Sequence, residues 1–322
     1  MLLPAHEFLK PPTLAETLAA LRNADGDVKV IGGGTDVVYN MRGRLFRPDV
    51  LLSVRDLPEL QAVEDLADGA LRIGAGCRLS MLERHPLLQR IPGLVAGVRA
   101  VASRHVRNMA TLGGNLCLDT RCWYTNQSSD WRAAKGPCLK TGRDFCHAIK
   151  SSPICVALNA SDIAPALIAL DATVALASVD GERALPLRDF YTDDGVEHTV
   201  RRPHEILVSA TVPGGHGPMT YIKETARKGN DFAYGTIAAR IAPDGAPRIV
   251  IGSLTTRPAS LVAPARIIGE RGLADDAIDA AVDATRDELG ALTNLYTPAA
   301  YKSALARGLV RRALLGLREL AA

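Results

Sequence analysis

Residues 28–36 read Val-Lys-Val-Ile-Gly-Gly-Gly-Thr-Asp, a β-branched run that stops on three consecutive glycines, and no other segment constrains the chain as much. A strand cannot pass through such a stretch. Glycine lacks a Cβ and tolerates positive φ, so the turn lets backbone N–H groups close on an anionic group. The expected unit is a strand over 28–31, a turn, and a short helix over 37–41. The turn lacks the G-x-G-x-x-G spacing, and no acidic residue caps a second strand at the usual distance, which argues against a Rossmann fold. A second glycine turn is expected at Arg107-Asn-Met-Ala-Thr-Leu-Gly-Gly-Asn115.

That second turn delivers the chain into a polar stretch carrying four of the six cysteines, Cys122, Cys138, Cys146 and Cys155, spaced C-x15-C-x7-C-x8-C. Several thiolates supplied by one excursion suit an iron–sulfur cluster. Tetrahedral zinc also takes four thiolates, but the usual paired C-x2–4-C knuckles are missing. Two disulfides would use the same residues. The N-terminus shows no charged region followed by an apolar core, so no export signal is read; a cytoplasmic location is expected, where structural disulfides are rare. Cys77 reads as a small buried apolar residue and Cys117 as a fifth candidate ligand. Both tryptophans, Trp123 and Trp131, fall in the same segment beside Tyr124, where large rings serve either to exclude water from a metal centre or to meet a partner.

Composition excludes several classes. A chain of 322 residues with 47% hydrophobic and 23% charged residues is long enough for two or three cores and is not disordered. No apolar run approaches a membrane span. A net charge of +3, with scattered Lys and Arg, gives no nucleic-acid surface.

Along the chain, Thr13-Leu-Ala-Glu16 reads as a capping box opening an amphipathic helix, and Ser80-Met-Leu-Glu83 repeats the pattern. Asp68-Gly69 signals a hairpin. A helix is expected over 92–102 and another from Asp162 with Pro165, and a strand over 173–178 turns back at Asp180-Gly181. A domain boundary is placed at 182/183. After it, strands over 205–212, 219–225, 233–241 and 248–253 are expected to form one antiparallel sheet, with helices from Pro264, Asp275 and Pro298.

At Ile31-Gly-Gly-Gly-Thr-Asp36, Arg107–Asn115 and Ser161-Asp-Ile-Ala-Pro-Ala166 the sequence resembles the FAD-binding medium subunit of the xanthine oxidase family of molybdenum hydroxylases. Glu205-Ile-Leu207 and Tyr221-Ile-Lys223-Glu-Thr-Ala-Arg227 are similar to that subunit's C-terminal region. The segment Gly113-Gly-Asn-Leu-Cys-Leu-Asp-Thr-Arg-Cys122, with Tyr124-Thr-Asn-Gln-Ser128, Cys138-Leu-Lys and Cys146-His147, looks like the 4-hydroxybenzoyl-CoA reductase branch of the family.

The resemblance implies an α+β fold. A two-subdomain FAD-binding domain of the PCMH/vanillyl-alcohol-oxidase type would occupy 1–182 (subdomains 1–55 and 56–182, with a loop insertion at 117–156). A C-terminal domain of the CO dehydrogenase flavoprotein type would occupy 183–322. It implies FAD held by Val30, Ile31, Gly32, Gly33, Gly34, Thr35 and Asp36, with Thr111, Gly113, Gly114 and Asn115 at the second turn. Asp162 would lie by the ribityl or ring portion, although locally it reads as a helix N-cap; Leu207 would pack on the ring system, and Lys223 would place positive charge near it. Cys122, Cys138, Cys146 and Cys155 would hold a 4Fe-4S cluster, with Cys117 outside the set and His147 not a ligand.

The implied partners are a molybdopterin-binding large subunit and a 2Fe-2S small subunit, assembled as a dimer of heterotrimers, with a ferredoxin as electron donor. No catalytic residue is expected on this chain, because the substrate meets the large subunit. Two rival readings are a flavin subunit of an oxidative xanthine, aldehyde or CO dehydrogenase-type enzyme, and a zinc-stabilised assembly scaffold without flavin.

Overall fold

The strand–turn–helix expected at residues 28–41 is present in the computed structural model, which describes residues 2–227, 229–290 and 297–321. Three strands, β1 (Glu7–Leu9), β2 (Val28–Ile31) and β3 (Val50–Ser53), form a parallel sheet in the order β1-β3-β2. Parallel neighbours need crossovers, and the helices Leu14–Asn23 and Val37–Arg42 supply them. Thr13 caps the first helix, its hydroxyl accepting from Glu16 N at 3.2 Å, and Leu18 and Leu21 turn inward onto Leu52 and Val54.

A second sheet follows, made of β4 (Val63–Asp65), β5 (Leu71–Gly74), β6 (Thr173–Ser178), β7 (Gly181–Pro186) and β8 (Ile206–Val212), antiparallel in the order β4-β5-β8-β6-β7. The expected boundary at 182/183 falls inside this sheet. β8, expected among the C-terminal strands, pairs instead with β5 and β6, Ala210 standing opposite both Ile73 and Val174. Its side chains are buried on both faces: Ile206 and Val208 join the core shared with the parallel sheet, and Ala210 and Val212 join the main core. A strand sandwiched in this way is a central strand.

The remaining strands, β9 (Met219–Glu224), β10 (Gly235–Ile241), β11 (Pro247–Gly252) and β12 (Ala259–Ser260), form the last sheet, ordered β12-β11-β10-β9. Alternation divides its faces. Ala238 and Val250 pack into the main core with the helix Ala164–Ala169. Ile237, Ala239, Ile249 and Ile251 face the helices Val262–Arg271, Asp275–Glu288 and Ala299–Ala321. Each fully buried Ile or Leu of these faces contributes roughly 1.5–3 kcal/mol. The three helices expected from Pro264, Asp275 and Pro298 are thus present, and the fold is α+β. Among the described residues no helix is long and apolar enough to cross a membrane.

Two local expectations are corrected. The helix at Leu79–Leu82 begins after Arg78, so Ser80 lies within it and caps nothing. Gly113 and Gly114 belong to the short helix Leu112–Leu116 rather than to an open turn, and Thr111 is its N-cap, accepting from Gly114 N at 3.1 Å. Thr111 satisfies an orphan helix donor, which a run of two glycines disguises in the sequence.

Candidate functional site

The parallel sheet and the five-stranded sheet leave a cleft between them. Its walls include Val28, Lys29 and Val30 of β2, Gly32 and Asp36 of the glycine turn, Thr111 with Gly113 and Gly114 of the short helix it caps, and Ile206 and Leu207 of β8. The two glycine segments touch. A Cβ on Gly33 would overlap the Met109 carbonyl oxygen, and one on Gly32 would stand 2.7 Å from Thr111 Oγ1. Gly34 takes φ +73°, a conformation other residues adopt only at a cost.

Other predicted residues lie around this cleft rather than in it. Ile31 packs into a small core with Met41 and Leu51, and Thr35 is exposed at the turn. Asn115 is buried, with its Oδ1 accepting from Ser161 Oγ at 2.7 Å and Ile163 N at 3.3 Å; it ties the second turn to the 161–166 motif. Asp162 does not cap the following helix, whose N-cap is Ile163. Its carboxylate pairs with Lys223, Nζ to Oδ2 2.8 Å, and Lys223 also donates to Ala100 O at 2.9 Å. Burial pushes the Asp162 carboxyl up to about 6, against the pull of Lys223.

Sequence reasoning missed several residues of the cleft wall. Cys117, Asp119, His198 and Arg201 line it. His198 and Arg201 come from the irregular 191–205 connection, where no periodicity singles them out; Lys29 was visible as the polar member of an alternating strand. A broader depression around Asp171, Arg188, Arg248 and Arg266 contains none of the predicted site residues.

The cysteine segment is a closed excursion. Arg121 and Leu158 exchange both backbone hydrogen bonds at 2.8 Å, pinching its ends together. Inside, Cys138, Cys146 and Cys155 are buried and Cys122 is half-buried. The four thiols share one neighbourhood: burial raises the Cys122 thiol and the nearby Cys138 and Cys146 raise it further, while Cys155, pushed up to about 11 mainly by burial, also feels Cys122 and Cys146. The expected convergence on one point is not this tight. Among the described residues no three His, Cys, Asp or Glu side chains stand close enough to hold a metal ion.

Around the thiols, Ile149 N donates to Cys146 Sγ at 3.5 Å and Thr141 Oγ1 to Cys138 Sγ at 3.7 Å. Tyr124 stacks on His147 at 5.2 Å and lies 6.2 Å from Trp131. His147 Nε2 bonds Gly136 O at 3.0 Å, a packing role. Lys140 is buried among Asp119 Oδ1 at 2.7 Å, Gly195 O at 2.8 Å and Thr120 Oγ1. It therefore links the excursion to Asp119 on the cleft wall. Cys77 is fully buried, as expected.

Comparison with known proteins agrees with this layout. Residues 4–215 match the family described as the FAD binding domain in molybdopterin dehydrogenase, and residues 220–317 match the CO dehydrogenase flavoprotein C-terminal domain. The division between the two falls after β8. The chain is 31% identical over 265 residues to the aldehyde oxidoreductase FAD-binding subunit PaoB of Escherichia coli K12, covering 79% of this chain and 83% of that one. It is 26% identical over 321 residues to the carbon monoxide dehydrogenase medium chain of Hydrogenophaga pseudoflava, covering 98% and 97%. The fold matches the solved quinoline 2-oxidoreductase of Pseudomonas putida 86 with a TM-score of 0.80 at 21% identity, over 100% of this chain and 99% of that one. A Hydrogenophaga pseudoflava CO dehydrogenase structure matches with a TM-score of 0.79 at 23% identity, over 99% of each chain. With two family matches that together span nearly its whole length, the chain belongs to the FAD-binding subunits of the molybdenum hydroxylase family and is an FAD-dependent oxidoreductase subunit.

Proposed function

We propose that this chain is the medium subunit of a molybdenum-hydroxylase-type complex and carries a 4Fe-4S cluster beside its FAD. On this reading Cys122, Cys138, Cys146 and Cys155 are the cluster ligands. The observation that carries it is the enclosure of four largely buried thiols in one excursion pinched shut between Arg121 and Leu158, with Cys138 and Cys146 near Cys122, and Cys122 and Cys146 near Cys155. A four-iron cluster is wider than a single ion, so its ligands stand farther apart than those of one metal. Backbone and hydroxyl donors to sulfur and an aromatic wall of Tyr124, Trp131 and His147 suit such a centre.

When bound, FAD exchanges electrons singly or in pairs and an iron–sulfur cluster exchanges them singly. The glycine turn Gly32–Asp36 presents backbone donors for the diphosphate, with Lys29 and the close-packed Thr111, Gly113 and Gly114 on the same wall. Val30 and Leu207 give the cleft apolar surface for the ring portion. Asn115, Asp162 and Lys223 tie the 112–116 helix, the 161–166 motif and the C-terminal sheet together and would stand toward the ribityl and ring end of the flavin.

The large subunit would bind molybdopterin and substrate, the small subunit would hold 2Fe-2S clusters, and the whole would form a dimer of heterotrimers. The cysteine excursion favours the 4-hydroxybenzoyl-CoA reductase branch, an aromatic-degradation enzyme. There two electrons from a reduced ferredoxin and two protons convert 4-hydroxybenzoyl-CoA to benzoyl-CoA and water. A second reading, an oxidative dehydrogenase flavin subunit, is favoured by the names of the relatives, which include an aldehyde oxidoreductase subunit and a carbon monoxide dehydrogenase chain. Iron and acid-labile sulfide analysis of this chain, purified anaerobically and freed of its partner subunits, separates the two. About four irons per FAD are expected; background iron would overturn the cluster assignment and leave the oxidative reading.

A further inference from the structure

Arg121 immediately precedes Cys122, yet its side chain leaves the excursion and pairs with Asp36 at the end of the glycine turn. Both side chains are largely buried, at 14% and 17% exposure. Arg121 Nη1 also donates to Asn40 Oδ1 at 3.3 Å, Asn40 Nδ2 donates to Asp36 Oδ2 at 3.1 Å, and the Phe232 ring covers the guanidinium at 5.0 Å. A second arginine reaches across. Arg132 Nη2 donates to Gly43 O at 2.7 Å while its Nη1 bonds the Thr125 and Gln127 carbonyls of the excursion. The cysteine excursion therefore grips the helix Val37–Arg42 at both ends.

Asp36 lines the cleft that the glycine turns open toward. A bare carboxylate there would repel a diphosphate, and in a partly buried site water screens that repulsion poorly. Arg121 cancels the charge, and the β-bridge to Leu158 fixes where Arg121 stands. We propose that Arg121 is a positioning residue that neutralises Asp36, so that the flavin-binding turn accepts an anionic diphosphate only while the cysteine excursion is in place. The inference rests on the reading of the glycine turn as the diphosphate site.

The test strips FAD from the full-length chain and titrates it back, following flavin fluorescence, with near-ultraviolet circular dichroism as the check of folding. Arg121→Met is expected to weaken FAD binding on the order of 10- to 100-fold, Arg121→Lys to recover part of it, and Arg121→Met with Asp36→Asn to return close to wild type. Riboflavin, which has no diphosphate, should bind equally to all. Wild-type FAD affinity in Arg121→Met, or a double variant no better than the single one, overturns the proposal.

Should Arg121→Met not fold, Asp36→Asn alone decides: retained or tighter FAD binding supports neutralisation, and a loss of about tenfold or more refutes it. Coupling must also run in reverse, so FAD should slow tryptic cleavage at Lys135 and Arg143 of the wild-type excursion; equal cleavage with and without FAD refutes the link. Gly32→Ala separates the premise from the inference. If it keeps full FAD affinity, the glycine-turn reading has failed. If it loses FAD while Arg121→Met does not, the turn reading stands and the role of Arg121 has failed.

Discussion

Lys223 Nζ lies 2.8 Å from Asp162 Oδ2, and both side chains are about nine-tenths buried. The pair joins β9 of the C-terminal sheet to the segment before the helix Ala164–Ala169, and Tyr221 OH, two residues earlier on the same strand, donates to Asp162 O at 2.8 Å. Removing one member of a buried pair leaves the other charge without compensation, at about 3–5 kcal/mol. Lys223→Met should therefore lower the urea midpoint strongly at pH 7. Below about pH 5 the loss should shrink, because a neutral Asp162 no longer needs a partner; an unchanged midpoint at neutral pH would refute the pairing.

The pH dependence of the intact pair has a definite sign. Asp162 has its folded value raised to about 6 from an ordinary 3.8, so the folded chain keeps this proton when the unfolded chain has lost it. Its contribution is complete below about pH 4 and is lost as pH rises through 6, with an amplitude of roughly 2–3 kcal/mol for a two-unit shift. Asp162→Asn should flatten this portion of the stability profile. An identical slope in the variant and the wild type between pH 4 and 6 would assign the titration to another group.

Gly33 is the point where the two glycine-bearing segments of the cleft meet. A methyl group there must displace the backbone at Met109 and Ala110, because the atoms it meets are main-chain atoms rather than the end of a flexible side chain. Gly33→Ala should cost on the order of 2–4 kcal/mol and release FAD on gel filtration. A variant that retains stoichiometric FAD would show that the turns can separate without harm.

Cys77 sits with its thiol among the Leu60, Gln61 and Ala62 carbonyls, and burial pushes it up to about 11. The thiolate is the reactive form. Iodoacetamide at pH 8 should leave Cys77 unmodified in the native protein and label it promptly in urea, as mass spectrometry of the digest would report.

Local chemistry made much of this legible. Three glycines after a β-branched run mark a turn whatever surrounds them, and the box Thr13–Glu16 announces its helix. What a strand pairs with is a different matter. β8 reads like β10 or β11 along the chain, and the sequence near residue 183 carries turn signals that suggest a boundary; its true neighbours β5 and β6 are fixed by burial on both faces. Asp162 misled in the same way: beside Pro165 it has the form of a cap, and its partner, Lys223, stands 61 positions away. The four cysteines were conspicuous, whereas the arginines that fasten their excursion, Arg121 and Arg132, are ordinary residues until the helix they hold is seen.

The bridge between Arg121 and Leu158 gives the excursion a single doorway. Thirty-six residues leave and return through one pair of backbone hydrogen bonds, and beyond it Arg132 and Lys140 fasten the excursion to Gly43 and to Gly195 of the outer framework. A short link at the same place would close the backbone but lose the ties from Arg132 to Gly43 and from Lys140 to Gly195. The cysteine-bearing part of this molecule is in that sense a fitting on a flavin-binding frame, entered at one doorway and bolted at Gly43 and Gly195, and Arg121 stands at its threshold.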